Sequence, residues 1–213
     1  MRVFVSADSH FGHANIQTYE PGRQVWSDVQ TMNEMLIHRW NETVEWDDIV
    51  FFLGDFAMGR IADSLPIAKR LNGRKVLTVG NHDRPFGMKP QDPGNLSDSR
   101  EKCWKSKAKH ARWYQEYLDA GFEIIADEIE MTFDGVPIRM CHFPYGGDHD
   151  DENIRYSHLR PVDDGTLLIH GHVHSAWETR LSDRGTPMVN AGLDVNDYRP
   201  ILLADAINRA MPF

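Results

Sequence analysis

Cysteine is scarce in this chain, with Cys103 and Cys141 the two examples among 213 residues. Two distant thiols build neither a disulfide framework nor a Cys-rich zinc module, so the expected setting is a reducing, cytoplasmic one. Long apolar runs are missing as well. The longest, Ile49 to Leu53, falls far short of the ~20 residues that span a bilayer, and no membrane partner is expected. The N-terminus, Met1-Arg2-Val3-Phe4-Val5, lacks the pattern of a signal peptide. An excess of positive charge is absent too. Basic residues number 23 against 32 acidic ones, a formal net charge of −9, which excludes a whole-body footprint for duplex nucleic acid. What the chain does have is histidine, 11 residues of it. The remainder, 41% hydrophobic and 26% charged, is an ordinary globular composition. The length predicts a single domain over residues 1–213.

Short β-branched and aromatic runs predict strands at residues 3–7, 49–53, 75–79, 128–133, 136–141, 166–170, 187–190 and 201–204. Asp134-Gly135 between two of them is a hairpin signal. Helical patterns occupy 31–44, 62–71 and 99–120, the last closed by Gly121. The order of elements predicts an α/β fold, a mixed sheet or two packed sheets flanked by helices. Residues 85–98 and 144–153 read as long loops, and the regions 85–120 and 144–162 as candidate cap segments.

Five short motifs place His, Asp and Asn just beyond apolar runs. They are Asp8-Ser9-His10, Gly54-Asp55, Gly80-Asn81-His82-Asp83, Cys141-His142 and His170-Gly171-His172-Val173-His174. In extended backbone, residues i and i+2 share a side, so Asp8 with His10, and His172 with His174, are each expected to aim at one point. Carboxylate, imidazole and amide oxygen without thiolate suit Mn²⁺, Fe, Zn²⁺ or Ni²⁺. Seven ligands exceed the needs of one ion with open positions. Two ions ~3.5–4 Å apart that share a carboxylate fit better.

In this order the motifs resemble the calcineurin-like metallophosphoesterase superfamily, from Asp8 to His174, with a further match at Asn190-Ala191-Gly192-Leu193-Asp194-Val195. The opening Asp8-Ser9-His10-Phe11-Gly12-His13-Ala14-Asn15-Ile16 is similar to that of small prokaryotic and phage phosphoesterases. The resemblance implies an αββα sandwich, two mixed sheets flanked by helices. It implies that Asp8, His10, Asp55 and His174 hold one divalent ion, and that Asp55, Asn81, His142 and His172 hold a second, with Mn²⁺ the first choice. His82 then matches the catalytic histidine, protonating the leaving oxygen while a metal-bound hydroxide attacks in line. The expected substrate is a phosphodiester of a nucleotide or related small ester. Phosphomonoester hydrolysis, a single-strand nuclease and a non-catalytic metal scaffold are the alternatives, and no required protein partner is evident.

Around this set, His13, Asp83 and Arg155 are candidates for touching substrate or for backing a ligand. For His13 a surface turn is an equal reading. His170, inside an apolar run, reads as a hydrogen-bonded core histidine, and Cys141 as a small buried hydrophobe. Residues 98–112 combine six basic side chains with Trp104 against Asp98 and Glu101, and Trp113 and Tyr114 follow directly. An amphipathic helix with exposed lysines is favoured there over a surface for single strands. The acidic run 148–151 reads as a solvated loop.

Overall fold

The apolar runs become strands. A computed structural model describes residues 1–86, 100–149 and 155–211. Among these, the strands are β1 (Val3–Ser6), β2 (Ile49–Phe52), β3 (Arg74–Thr78), β4 (Phe122–Ala126), β5 (Glu128–Phe133), β6 (Val136–Cys141), β7 (Leu167–His170), β8 (Thr179–Leu181), β9 (Pro187–Asn190) and β10 (Ile201–Leu202). The α-helices are α1 (Ile16–Tyr19), α2 (Val29–Thr43), α3 (Ile61–Ser64), α4 (Arg100–Asp119) and α5 (Leu203–Ala210). Two five-stranded sheets result, ordered β10-β1-β2-β3-β4 and β5-β6-β7-β9-β8. Both are mixed: β1 to β4 run parallel with β10 antiparallel, and β6, β7 and β9 run parallel between antiparallel β5 and β8.

Register decides where the chemistry goes. Ser6 lies beside Phe52 and Phe52 beside Leu77, so β1, β2 and β3 end level and their following loops leave the same edge. In the second sheet Met140 lies beside Ile169, and His170 beside Asn190. A parallel bridge between Ala7 and Gly192 brings these edges together. The C-terminal edge of parallel strands is where open α/β sheets bind ligands.

One core layer packs α2 residues Met32, Leu36 and Trp40 against Phe4, Val50, Phe52 and Leu77. Each such side chain contributes about 1.5–3 kcal/mol by burial. Between the sheets lie Val5, Ala7, Leu53, Ile138, Met140, Ile169 and Val189, with α5 adding Leu203, Ala206 and Ile207. The helices therefore flank two packed mixed sheets, as expected. The outer face of the second sheet is covered by Tyr145, Tyr156, Leu159 and Trp177 around Cys141, Phe143, Leu168 and Met188. No helix among the described residues is long and apolar enough to cross a membrane.

Several local expectations change. The helix over 62–71 is two pieces, α3 and a 3-10 turn from Leu65 to Arg70, because Pro66 offers no N–H to continue the α-helical ladder. The strand at 201–204 stops at Leu202, and α5 begins at Leu203. Strands β4 and β8 and helix α5 have no counterpart in the sequence reading. The loop at 85–98 lies outside the described residues from 87 onward, as do residues 150–153 of the second loop and 154 after it, so neither cap segment is described throughout. Of the basic segment 98–112, residues 98 and 99 and the side chains of 100–107 also fall outside them.

Candidate active site

Each loop at the shared sheet edge begins where a strand runs out of partners, and its first residues turn sharply. Asp8, His10, Asp55, His172 and His174 have φ values of 57, 49, 58, 74 and 45°. These are left-handed conformations that cost roughly 1 kcal/mol each in non-glycine residues. The extended i, i+2 spacing expected for Asp8 with His10 and for His172 with His174 is therefore not what aims them. Successive left-handed turns do so, held by hydrogen bonds such as Asp8 N to Gly54 O at 3.0 Å and His10 N to Asp55 O at 3.0 Å. Residues 81–83 likewise form a turn and not an extended segment.

Two triads of side chains converge, Asp8–His10–His174 and Asp8–Asp55–His142, with each triad's ligand atoms within 4.8 Å of one another. Asp8 is common to both, and Asp55 Oδ2 lies 3.6 Å from His10 Nε2 and 3.5 Å from His142 Nε2. Asn81 Oδ1 is 3.1 Å from His142 Nε2. His172 joins neither triad: its ring is 5.2 Å from that of His142, and its Nε2 faces Asp148 Oδ1 at 3.3 Å. His82 donates its backbone N–H to Asp55 Oδ1 at 2.8 Å and leaves its ring at the exposed side, Nε2 3.9 Å from Asp55 Oδ2.

Glycine is required where these loops touch. A Cβ on Gly80 would lie 2.2 Å from Asp55 Oδ1, and one on Gly54 2.5 Å from His142 Nδ1. Side chains there would push apart the carboxylate and imidazole they now cradle.

The donor set fits a divalent cation. His142 Nδ1 donates to Leu53 O at 2.8 Å, so its Nε2 carries the lone pair, and burial pushes this imidazole down to about 3, keeping it neutral. That lone pair faces the Asp55 carboxylate, acceptor against acceptor, an arrangement that a cation between them makes favourable. Asp8 Oδ1 is buried with no hydrogen-bond partner. Burial also pushes Asp8 up to about 8 and raises Asp55, so the carboxylate forms need compensating positive charge.

The sequence model of the calcineurin-like phosphoesterase superfamily domain matches residues 1–197. The chain belongs to that superfamily. It is a phosphoester hydrolase of a metal-dependent family, and the converging residues above are candidates to bind the metal. The gene 66 protein of Mycobacterium phage D29 is 31% identical over 198 residues, 90% of this chain and 87% of that protein. Its counterpart in phage L5 is 32% identical over 177 residues, covering 81% and 77%. The solved structure of AQ665, a protein of unknown function from Aquifex aeolicus, has a similar fold, with a TM-score of 0.63, 24% identity and 98% coverage of both chains.

Over this phosphoesterase's cluster opens a cavity of about 770 Å³, lined by His10, His13, Tyr19, Met58, His82 and Arg155 among others. His13 stands with its ring 5.5 Å from that of His10. Asp83 does not reach the cavity. It is buried and accepts from the N–H groups of Asp55, Phe56 and Gly80 at 2.8, 3.1 and 2.9 Å and from Tyr117 Oη at 3.2 Å, fixing the Gly-Asp and Asn-His turns to each other. Its substrate reading is set aside by that enclosure.

Three charged residues at the site escaped the sequence reading. Asp194 accepts from His174 Nδ1 at 2.8 Å, and Arg23 donates to Asp194 Oδ1 and Oδ2 at 2.6 and 2.8 Å. Asp148, read as part of a solvated acidic loop, is instead buried beneath Arg155 and Arg160, with Nη2 to carboxylate distances of 3.3 and 3.0 Å. The signal for Asp194 was present in the Asn190 to Val195 match. Nothing local marks Arg23 or Asp148 as buried. The bland readings of His170 and Cys141 agree with their full burial, and burial raises the Cys141 thiol to about 11.

Proposed function

We propose that this phosphoesterase is a two-ion phosphodiesterase acting on nucleotides or related small esters. Asp8, His10, Asp55 and His174 would hold one divalent ion, and Asp55, Asn81, His142 and His172 the other, with Mn²⁺ the first candidate. The observation that carries the reading is the lone pair of His142 Nε2 facing the oxygens of Asp55 and Asn81, 3.5 and 3.1 Å away. His172 stands beside this group, its ring 5.2 Å from that of His142 and its Nε2 3.3 Å from Asp148 Oδ1.

Such ions, when bound, lower the pKa of water and offset the charge that develops on the phosphate oxygens. The protein's own groups do the rest. Asp55 joins the two halves, and Asn81 adds an oxygen without adding negative charge. His82 sits at the cavity edge, where its ring can deliver a proton to the departing oxygen. Arg155, half-exposed on the cavity wall and tethered to Asp148, is placed to meet a phosphate oxygen. His13, with its ring 6.3 Å from Tyr19, lines the part of the cavity available to the organic group. The cavity volume of about 770 Å³ suits a small ester, since such pockets run about 300–1,000 Å³.

The test is metal content together with turnover of bis-p-nitrophenyl phosphate and p-nitrophenyl phosphate after loading with Mn²⁺. Two ions per chain and faster diester cleavage are expected. A preference for the monoester would overturn the diesterase assignment, and a single tightly held ion the two-ion one.

A further inference from the structure

We propose that Arg23 is a positioning residue of the metal centre, orienting His174 through Asp194 and fixing the turn of Asp8 through main-chain carbonyls. This rests on the two-ion reading above. Arg23 belongs to none of the motifs. It lies in a 3-10 turn, Pro21–Val25, yet its side chain is fully buried, with 0% exposure.

A buried guanidinium costs several kcal/mol unless its donors are satisfied. Here they are almost all spent on the site. Nε and Nη2 grip Asp194 at 2.6 and 2.8 Å, Nη2 also donates to Asp8 O at 2.6 Å, and Nη1 donates to Ser9 O at 2.9 Å. The remaining direction of Nη1 faces Met32 Sδ at 4.0 Å. One planar group therefore joins three stretches of chain. It holds Asp194, whose Oδ2 fixes His174 Nδ1 at 2.8 Å and so turns Nε2 toward His10, 3.1 Å away. It also holds the carbonyls beside the left-handed Asp8, φ 57°, a conformation that needs outside support.

Charge alone does not explain the residue. A fixed cation beside a cation site weakens metal binding by repulsion, so its benefit has to be geometric. Lysine would supply the same charge without the bidentate grip on Asp194 or the parallel donors to Asp8 and Ser9. Groups that orient metal-bound histidines change metal affinity by about 10–100-fold when removed.

The experiment is calorimetric titration of the metal-free full chain with Mn²⁺, following both binding steps, for the parent, Arg23→Lys, Arg23→Met, Asp194→Asn and the Arg23→Lys/Asp194→Asn pair. One step should weaken about 10–100-fold in each single variant while the other shifts by less than about threefold. The pair should weaken that step by less than the two single changes combined, because the two residues share the route through His174 while the grip of Arg23 on the Asp8 turn is its own. Arg23→Lys, which keeps the charge, carries the test if Arg23→Met does not fold. Parent-like binding by Arg23→Lys, equal weakening of both steps, or additive losses in the pair would each overturn the proposal. A parent that binds one ion would instead refute the two-ion reading, and Arg23 would then be judged on the affinity for that ion.

Discussion

The two ends of the ligand cluster are built from the same residue types and backed in opposite ways. At one end His142 leans on a main-chain carbonyl, Leu53 O, and on glycines too crowded to carry a Cβ. Burial pushes this imidazole down to about 3, so it is neutral and the nitrogen that faces Asp55 is already free. At the other end His174 leans on Asp194, itself held by Arg23, with Glu20 Oε1 3.9 Å away. Burial opposes protonation there too, but the carboxylates of Asp8 and Asp194 outweigh it and raise the ring to about 9. The lesson is that the carboxylates around a histidine, here its neighbour Asp8 as well as its outer partner Asp194, decide whether an incoming cation has to displace a proton. A carbonyl-backed site is ready at neutral pH. A carboxylate-backed site holds its ligand in place but keeps it charged until the ion arrives.

The strongest way to break the contrast is to remove what both ends share. Asp55 Oδ2 stands 3.6 Å from His10 Nε2 and 3.5 Å from His142 Nε2. Asp55→Asn is expected to lower kcat/KM about 10³-fold or more on every ester and to reduce metal content, since the carboxylate charge between His10 and His142 is lost. Parent-like stoichiometry measured by elemental analysis would refute its place between them. A milder intervention leaves both ends intact. His82 contacts the cluster through its backbone N–H, so His82→Ala should retain metal while losing about 10²-fold or more on alkyl diesters. On p-nitrophenyl esters, whose leaving group needs little protonation, the loss should be small. Equal losses on both substrates would sink the proton-donor role.

The same contrast separates what could be read from the sequence from what could not. Asp8, His10, Asp55, Asn81 and His142 were legible because each lies within four residues of a strand's end, and strands are marked by their apolar runs. Their aim was not legible. The extended-spacing rule fails at Asp8, His10, His172 and His174, because backbone hydrogen bonds across the sheet edge force left-handed turns that no residue preference announces. The backing groups were harder still. Arg23 and Asp148 look like surface charges in a sequence, and only long-range packing buries them, Arg23 against Asp194 at 171 positions' distance. The His142 end needed no such partner, since its carbonyl is main chain and its glycines are visible in the motifs. Elsewhere β4 was missed behind the helix-capping Gly121, and α5 because it starts immediately after a two-residue strand.

A last prediction sharpens the comparison with pH. In the chelator-treated protein, the unfolded chain binds a proton at His142 below about 6.5, which the folded chain refuses until about 3. That position therefore loses up to about 1.4 kcal/mol of stability per pH unit as pH falls through this window. At His174 the sign reverses: the folded ring keeps its proton up to about 9, so its contribution is complete below 6.5 and disappears as pH rises toward 9. Asp8 and Asp83, raised by burial to about 8 and about 7, bind protons in the fold and oppose the acid-side trend. Each histidine is accordingly read as a difference from the parent in urea-unfolding free energy. His142→Gln should flatten the acid side and leave the alkaline side parallel to the parent, whereas His174→Gln should do the reverse. If both substitutions change the same side of the curve, the two ends are not backed differently and the contrast between carbonyl and carboxylate fails.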